Sequence, residues 1–336
     1  MVFNSPQGFE NKSFFLNPKS SVISALEDRN WKILITGASG WLGQATLSYL
    51  GFVFKDKLPD RVSCFGSVSK KLNIGGYSIL QKPMSSLSDT AITSDTLLCH
   101  FAFLTKDRVS LMSKDDYVSE SSHIRNSVLN AIGNTSLAGL FVPSSGAVYD
   151  AMIEGNRDPD ANLYGKLKMA DEEIFTKTAS SGGYTFVCPR IFNLSGPYIN
   201  KFSSYALASF INDCLQQKPI HINSVIPVWR SYLFIGDLLD LVFRILMGEP
   251  YGTQVIFDTA GDQVIEISEL AEMVINRCGS PSQQVLRPSL DRSRENRYIG
   301  NPDLQKKLQS KLGLSSLPLP IQVDETARYI RTVCPT

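Results

Sequence analysis

Apolar and polar positions fall in blocks along this chain of 336 residues rather than alternating residue by residue. From residue 31 to about 195, short apolar runs bounded by turn formers are separated by segments with helical spacing. The runs read as strands buried on both faces, and the spaced segments as the helices that cover them. Strands are predicted at Lys32–Thr36, Arg61–Phe65, Thr96–Phe103, Gly139–Pro143 and Tyr184–Arg190, with amphipathic helices over Ser121–Ala131 and Tyr164–Thr178. Strand–helix alternation with right-handed crossovers predicts an α/β, Rossmann-like doubly wound parallel sheet with ligands at its C-terminal edge.

After Gly196-Pro197 the pattern loosens. Helices are expected over Tyr205–Gln217, Asp237–Met247, Ile267–Arg277 and Pro302–Leu312, and strands near Pro219–Ile222 and at Thr253–Asp258. No repeat of fixed period is visible. This half has little sequence of its own to form an independent core, so a smaller interleaved α/β lobe is predicted. Residues 31–195 form the Rossmann domain, 223–262 return to it, 196–222 and 263–336 build the lobe, and 1–30 are an N-terminal extension.

Composition narrows this picture. With 43% hydrophobic and 19% charged residues and a net charge of +1, the chain reads as globular, with no basic surface for nucleic acid or anionic membrane. No stretch approaches the ~20 uncharged apolar residues of a membrane span. The nearest, Tyr232–Met247, is interrupted by Asp237, Asp240 and Arg244. The first thirty residues lack the apolar core of a signal peptide. Six scattered cysteines (Cys64, Cys99, Cys188, Cys214, Cys278, Cys334) without a Cys-x-x-Cys pair point to a reducing compartment, hence a cytoplasmic protein, and to no metal site. Cys99 and Cys188 sit in apolar runs and read as small buried hydrophobes.

The most informative run is KILITGASGWLGQATL, residues 32 to 47. A buried strand leads into Gly37, Gly40 and Gly43 and then a helix. Gly37 permits a tight turn, Gly40 lets backbone N–H groups approach a pyrophosphate, and Gly43 allows close helix–strand packing. The N–H groups of Ser39, Gly40, Trp41, Leu42 and Gly43 then face the anion at a helix N-terminus.

Further along, Tyr164 and Lys168 stand four apart at a helix start, on one face. A tyrosine titrates near ~10, and bringing it to neutrality requires roughly 4 kcal/mol, which a lysine ammonium one turn away helps to supply. Upstream, Val142-Pro143-Ser144-Ser145 is a strand end whose hydroxyl can hold a substrate oxygen while the phenol moves the proton.

Glycine turn, serine and Tyr-x-x-x-Lys in this order resemble an extended short-chain dehydrogenase/reductase of the NAD-dependent epimerase/dehydratase group, from about residue 31 to 313. His100-Phe101-Ala102 is similar to the family's His-x-Ala beside the cofactor, Arg190 to Pro197 to the segment joining the lobes, and Arg230-Ser231-Tyr232 with Asp237 to the stretch opening the substrate-binding lobe. The resemblance implies that Tyr164 is the catalytic acid or base, Lys168 its electrostatic partner and ribose ligand, and Ser145 the substrate-polarising hydroxyl. It implies Phe101, Ala102 and Phe192 as cofactor neighbours. Asn193 and Arg230 would hold the diphosphate of a nucleotide-linked sugar, with Arg294 and Arg297 as further phosphate candidates. A homodimer through the helices near Asp116–Ala131 and Tyr164–Thr178 is also implied.

Two departures adjust the expectation. The dehydratases of this family carry an Asp-Glu pair where this chain has Gly146 and Ala147, so 4,6-dehydration is disfavoured and hydride transfer without elimination is left. The second strand is followed by Ser67-Val68-Ser69-Lys70 instead of a carboxylate, and hydroxyls with a lysine accept a 2′-phosphate, so NADP is favoured slightly over NAD. The stretch between Tyr149 and Tyr164 is shorter than in familiar epimerases. The reading is therefore an NAD(P)-dependent nucleotide-sugar epimerase or ketoreductase, with a non-catalytic NADP-binding regulator or redox sensor of the same fold as the alternative.

Overall fold

The structure is a computed structural model that describes residues 16–133, 135–152, 162–248 and 252–334. Its central sheet has nine strands: β1 Lys32–Thr36, β2 Val62–Gly66, β3 Lys70–Ile74, β4 Tyr77–Pro83, β5 Thr96–His100, β6 Gly139–Phe141, β7 Ser144–Ser145, β8 Thr185–Ile191 and β9 Gln254–Asp258. The order is β9-β8-β6-β5-β1-β2-β4-β3, with β7 beside β8. All pairings are parallel except β3 with β4. Two apolar layers follow from strand alternation. Ile33, Ile35, Cys64, Leu97 and Cys99 face one layer; Leu34, Phe65, Leu98, Leu140 and Cys188 face the other.

Several boundaries differ from expectation for local reasons. The strand expected to run to Phe103 ends at His100, because the chain turns there and Phe101 N donates to Thr36 O at 3.0 Å. Ser67 and Lys70 flank an unexpected hairpin in which β3 and β4 meet at Gly75-Gly76, both with positive φ (55° and 89°). Such a pair suits a tight hairpin turn. The expected helix pairs are longer than their apolar stripes, at Lys114–Ile132 and Leu163–Gly182.

Residues expected to form an N-terminal extension are built into the Rossmann domain from Leu16 on. Helix Ser20–Asp28 buries Val22 and Leu26 completely. Leu16 N donates to Ser48 Oγ (2.9 Å) and Lys19 N to Asp240 Oδ1 (3.0 Å). The second half also interleaves. Helix Ile235–Leu246 is buried on nearly every side against β6 and β8 before β9 completes the sheet edge. The smaller lobe contains helices Ala206–Leu215 and Ile267–Cys278, which pack on a C-terminal helix, Leu319–Val333. That last helix escaped the sequence reading because its buried face carries Gln322 and Thr326. Ser195 Oγ donates to Gln322 Oε1 (2.6 Å) and Gly196 N to Thr326 Oγ1 (2.9 Å), fastening the lobe junction. Among the described residues no helix is long and apolar enough to cross a membrane.

Asp237 is buried beneath this junction and accepts from Leu317 N at 2.6 Å. Burial pushes its carboxyl up to about 6. A carboxyl held more tightly protonated in the folded state contributes stability below its unfolded value of about 4 and loses it as pH rises through the folded value. Asp237→Asn, which keeps the acceptor oxygen but does not ionise, is therefore expected to be more stable than the parent above pH 6 and equally stable near pH 4. Thermal unfolding from pH 4.5 to 7.5 checks this; parallel curves for the two proteins would refute it.

Candidate active site

The site begins where β1 ends. Gly37 has φ +67°, and a Cβ there would lie 2.6 Å from Ala102 N. Gly43 is equally constrained, since its Cβ would lie 2.5 Å from Gly37 O. Gly40 caps helix Trp41–Phe54 in an extended conformation, and no acidic residue stands in the first turn. The leading N–H groups of a helix lack partners within it. Gly40 N, expected to face the anion, instead closes the turn by donating to Gly37 O at 2.9 Å, so the leading N–H groups of the helix that follow it and the positive dipole end are what fit the pyrophosphate of a dinucleotide. Ser39 O accepts from Gln44 Nε2 (2.8 Å), Leu42 is half-buried, and Trp41 Nε1 donates to Pro197 O (2.8 Å), linking the turn to the smaller lobe.

Next to this turn, β5 delivers His100, Phe101 and Ala102. His100 is buried and shares a 2.7 Å hydrogen bond with Thr36 Oγ1. Burial first, and the Lys168 ammonium second, bring its pKa down to about 3. A neutral, internally bonded imidazole holds the turn rather than moving protons. Ala102 N lies 3.3 Å from Thr36 Oγ1, and Phe101 packs edge-on to Phe141 with centroids 4.9 Å apart.

Helix Leu163–Gly182 brings Tyr164 and Lys168 to the same edge. Tyr164 lies beside Ser145, close enough for the serine hydroxyl to influence the phenol. Burial pushes the Tyr164 phenol above its ordinary value, while the Ser145 hydroxyl acts in the opposite direction. The Lys168 ammonium is buried, donates to Pro143 O at 2.9 Å and sits 3.7 Å from the centroid of the Phe103 ring. Burial lowers its pKa, and the charges of Asp171 and Glu172 oppose that. The same Phe103 ring meets Tyr164 edge-on at 5.6 Å. The structure thus brings Tyr164 and Lys168 together around one aromatic ring, with Ser145 beside Tyr164.

The helix is held in place by an ionic chain. Arg190 Nε and Nη2 donate to the two oxygens of Glu172 at 3.0 and 2.8 Å. Arg190 Nη1 donates to Tyr149 OH (3.0 Å), which donates in turn to Asp258 (3.0 Å) at the end of β9. Asp258 also accepts from Asn301 N at 2.9 Å. Paired bonds of this planar kind fix geometry as well as charge.

The opposite wall comes from the smaller lobe and includes Tyr298, which sequence reasoning missed. Its phenol lies near the same Ser145, its ring lies 4.8 Å from that of Phe192, and the Arg230 guanidinium lies 5.9 Å from its centroid. Asn193 Nδ2 donates to Tyr298 O (3.1 Å), so its amide positions this wall. Arg230 Nη1 donates to Asn296 Oδ1 (2.7 Å), and burial lowers its pKa. Arg294 is not brought to the group: it is 69% exposed and pairs with Asp291 at 3.4 Å. Arg297 is half exposed, near Glu295 (3.6 Å) and over the Trp229 ring. Ser67 and Lys70 are both exposed. The shortened stretch before Tyr164 falls largely in residues 153–161, outside the described residues.

Fold and site together define a dinucleotide-binding α/β protein of the extended short-chain dehydrogenase/reductase type. The model of the NAD dependent epimerase/dehydratase family matches residues 33–253, and the chain belongs to that family. A dTDP-D-glucose 4,6-dehydratase of Dictyostelium discoideum is 24% identical over 274 residues, covering 73% of this chain and 62% of that protein. The chain thus spans less than two thirds of that curated relative's length. Among solved structures, a UDP-N-acetylglucosamine 4-epimerase from Methanobrevibacter ruminantium, in complex with UDP-N-acetylmuramic acid, has a TM-score of 0.69 at 17% identity, covering 90% of this chain and 99% of that one. A UDP-glucose 4-epimerase from Thermus thermophilus, in complex with NAD, has a TM-score of 0.66 at 19% identity, covering 89% and 99%. These likenesses share the fold described above.

Gly146 stands where the dehydratase carboxylate is expected, and a Cβ there would lie 2.7 Å from Phe192 Cε1. Gly146→Ala is expected to destabilise by about 2 kcal/mol through overpacking. Combining it with Phe192→Ala should cost less than the sum of the two single changes. Urea denaturation of the three variants checks this; strict additivity would show that the ring does not occupy the space.

Proposed function

We propose that this protein transfers hydride and proton at a hydroxyl or ketone of a nucleotide-linked sugar without eliminating water, as an epimerase or a ketoreductase. The observation that carries the reading is the convergence of the Ser145 and Tyr164 hydroxyls with the Lys168 ammonium beside the glycine turn. A nicotinamide dinucleotide, NAD or NADP, seated on Gly37, Gly40 and Gly43 supplies the hydride acceptor and donor. Ser145 holds the sugar oxygen by hydrogen bonding, and Tyr164 takes its proton or returns it. Lys168 favours the phenolate through its charge, against the burial that favours the phenol. Arg230, next to Tyr298, is the cation placed to meet a diphosphate. With glycine and alanine at 146 and 147 and Phe192 packed over Gly146, no carboxylate from this strand end reaches the sugar to catalyse dehydration.

A second reading, a cofactor-binding regulator or redox sensor without turnover, draws on one observation. Lys168 spends its ammonium on Pro143 O and on the face of Phe103. For the quaternary state we propose a homodimer through helices Lys114–Ile132 and Leu163–Gly182, which pack side by side and are joined by Arg125 and Asp171 at 3.0 Å.

Tyr164→Phe separates the catalytic and regulatory readings. Incubation of a panel of UDP- and dTDP-sugars with either oxidised cofactor, and of their keto derivatives with either reduced cofactor, followed at the reduced-nicotinamide absorbance and by sugar analysis, should show turnover that falls at least about 100-fold in the variant while cofactor affinity is retained. Net consumption of reduced cofactor identifies a ketoreductase, and sugar interconversion without it an epimerase. Undiminished activity in Tyr164→Phe would overturn the assignment.

A further inference from the structure

The adenosine ribose of a dinucleotide on this fold reaches the end of β2, where a carboxylate commonly accepts its 2′-hydroxyl. Here β2 ends in Gly66, and the exposed residues Ser67, Val68 and Ser69 follow. The side chain that fills this place comes from the neighbouring strand. Gln81 of β4 pairs with Cys64 of β2 on one side and with Lys70 of β3 on the other, and it is fully buried.

A Cβ built on Gly66 would overlap the Gln81 amide, meeting Nε2 first and lying 2.5 Å from Cδ and 2.7 Å from Oε1. The amide thus occupies the volume in which a side chain at position 66 would begin, and glycine there is what admits it. Gln81 Nε2 donates to Val68 O at 2.8 Å, which fixes which end of the amide is which. Its Oε1 is buried and meets no hydrogen-bond donor among the described residues. A buried acceptor without a donor is destabilising, so it gains from any donor that arrives.

We propose that Gln81 takes the place of the missing carboxylate, its Oε1 accepting the 2′-hydroxyl of the adenosine ribose, so that the protein prefers NAD to NADP. This rests on the dinucleotide reading above and deepens it. A ribose hydroxyl has a proton to donate. A 2′-phosphate at pH 8, above its second pKa of about 6, brings only acceptor oxygens to an acceptor. Lys70, the first cation after the end of β2, is exposed, so its charge is largely screened at ordinary salt.

Calorimetric titration of the full chain at pH 8 tests the proposal with three probes: NAD, NADP, and the NAD analogue lacking the adenosine 2′-hydroxyl. The parent should bind NAD about fivefold more tightly than the analogue and more tightly than NADP. In Gln81→Met, which keeps the volume but has no acceptor oxygen, NAD and the analogue should bind alike. In Gln81→Glu the preference for NAD over NADP should widen by at least about tenfold through charge repulsion. A purely structural role for Gln81 would weaken all three probes together and leave their ratios unchanged, and that result overturns the proposal, as does a parent that prefers NADP. If Gln81→Met fails to fold, unchanged ratios in Gln81→Glu overturn it alone. Absence of binding by all three probes to the parent would instead remove the dinucleotide reading itself.

Discussion

The contact on which the rest of the site depends is the approach of Gly37 to the backbone of Ala102. A single methyl group at position 37 would meet Ala102 N at 2.6 Å, so the turn after β1 and the end of β5 can lie this close only around glycine. Thr36 seals the approach from below, accepting Phe101 N through its carbonyl and bonding His100 through its hydroxyl. Because β5 must bend here, Phe103 is directed to the Tyr164–Lys168 face. One steric constraint therefore sets both the anion-accepting turn and the ring around which the candidate proton-transfer groups assemble.

How far these features can be read from sequence follows from how local they are. The glycine turn lies within sixteen consecutive residues, and Tyr164 and Lys168 lie one helical turn apart, so spacing alone carries both. Tyr298 and Phe103 join the site only through pairings made by the fold: strand Asn296–Tyr298 lies beside Val228–Ser231, and β5 stops three residues earlier than its apolar run. No local pattern announces either. The C-terminal helix hides for a different reason, since Gln322 and Thr326 on its buried face break the apolar stripe while bonding the lobe junction. The Gly75-Gly76 pair between alternating residues is a legible hairpin signal, and a reading of Ser67 and Lys70 as a phosphate-binding loop passes over it.

Charge and burial divide the labour at the site. The ionisable groups that position elements are tied to one another: Arg190 to Glu172, Arg125 to Asp171, Tyr149 to Asp258. Partial burial keeps these bonds from being screened, and each spans two elements, so the helix carrying Tyr164 and Lys168 is fixed against the strand ends. Lys168 differs, for its ammonium has one carbonyl partner and an aromatic face. A cation in that state retains donors that an incoming hydroxyl can use, whereas a cation locked to a carboxylate has fewer to offer.

The strand end at Gly146 shows what replaces carboxylate chemistry. Position 146 has no side chain, and the space is taken by Phe192, whose ring touches Tyr298, which in turn lies near Ser145. Ser145 thereby lies near two phenols, Tyr164 and Tyr298. Both are neutral in their buried setting, since burial raises the pKa of each. Neutral phenols beside apolar rings offer hydrogen bonds and single proton transfers. The Phe192 ring thus fills the space that a side chain at position 146 would occupy, and couples this strand end to Tyr298.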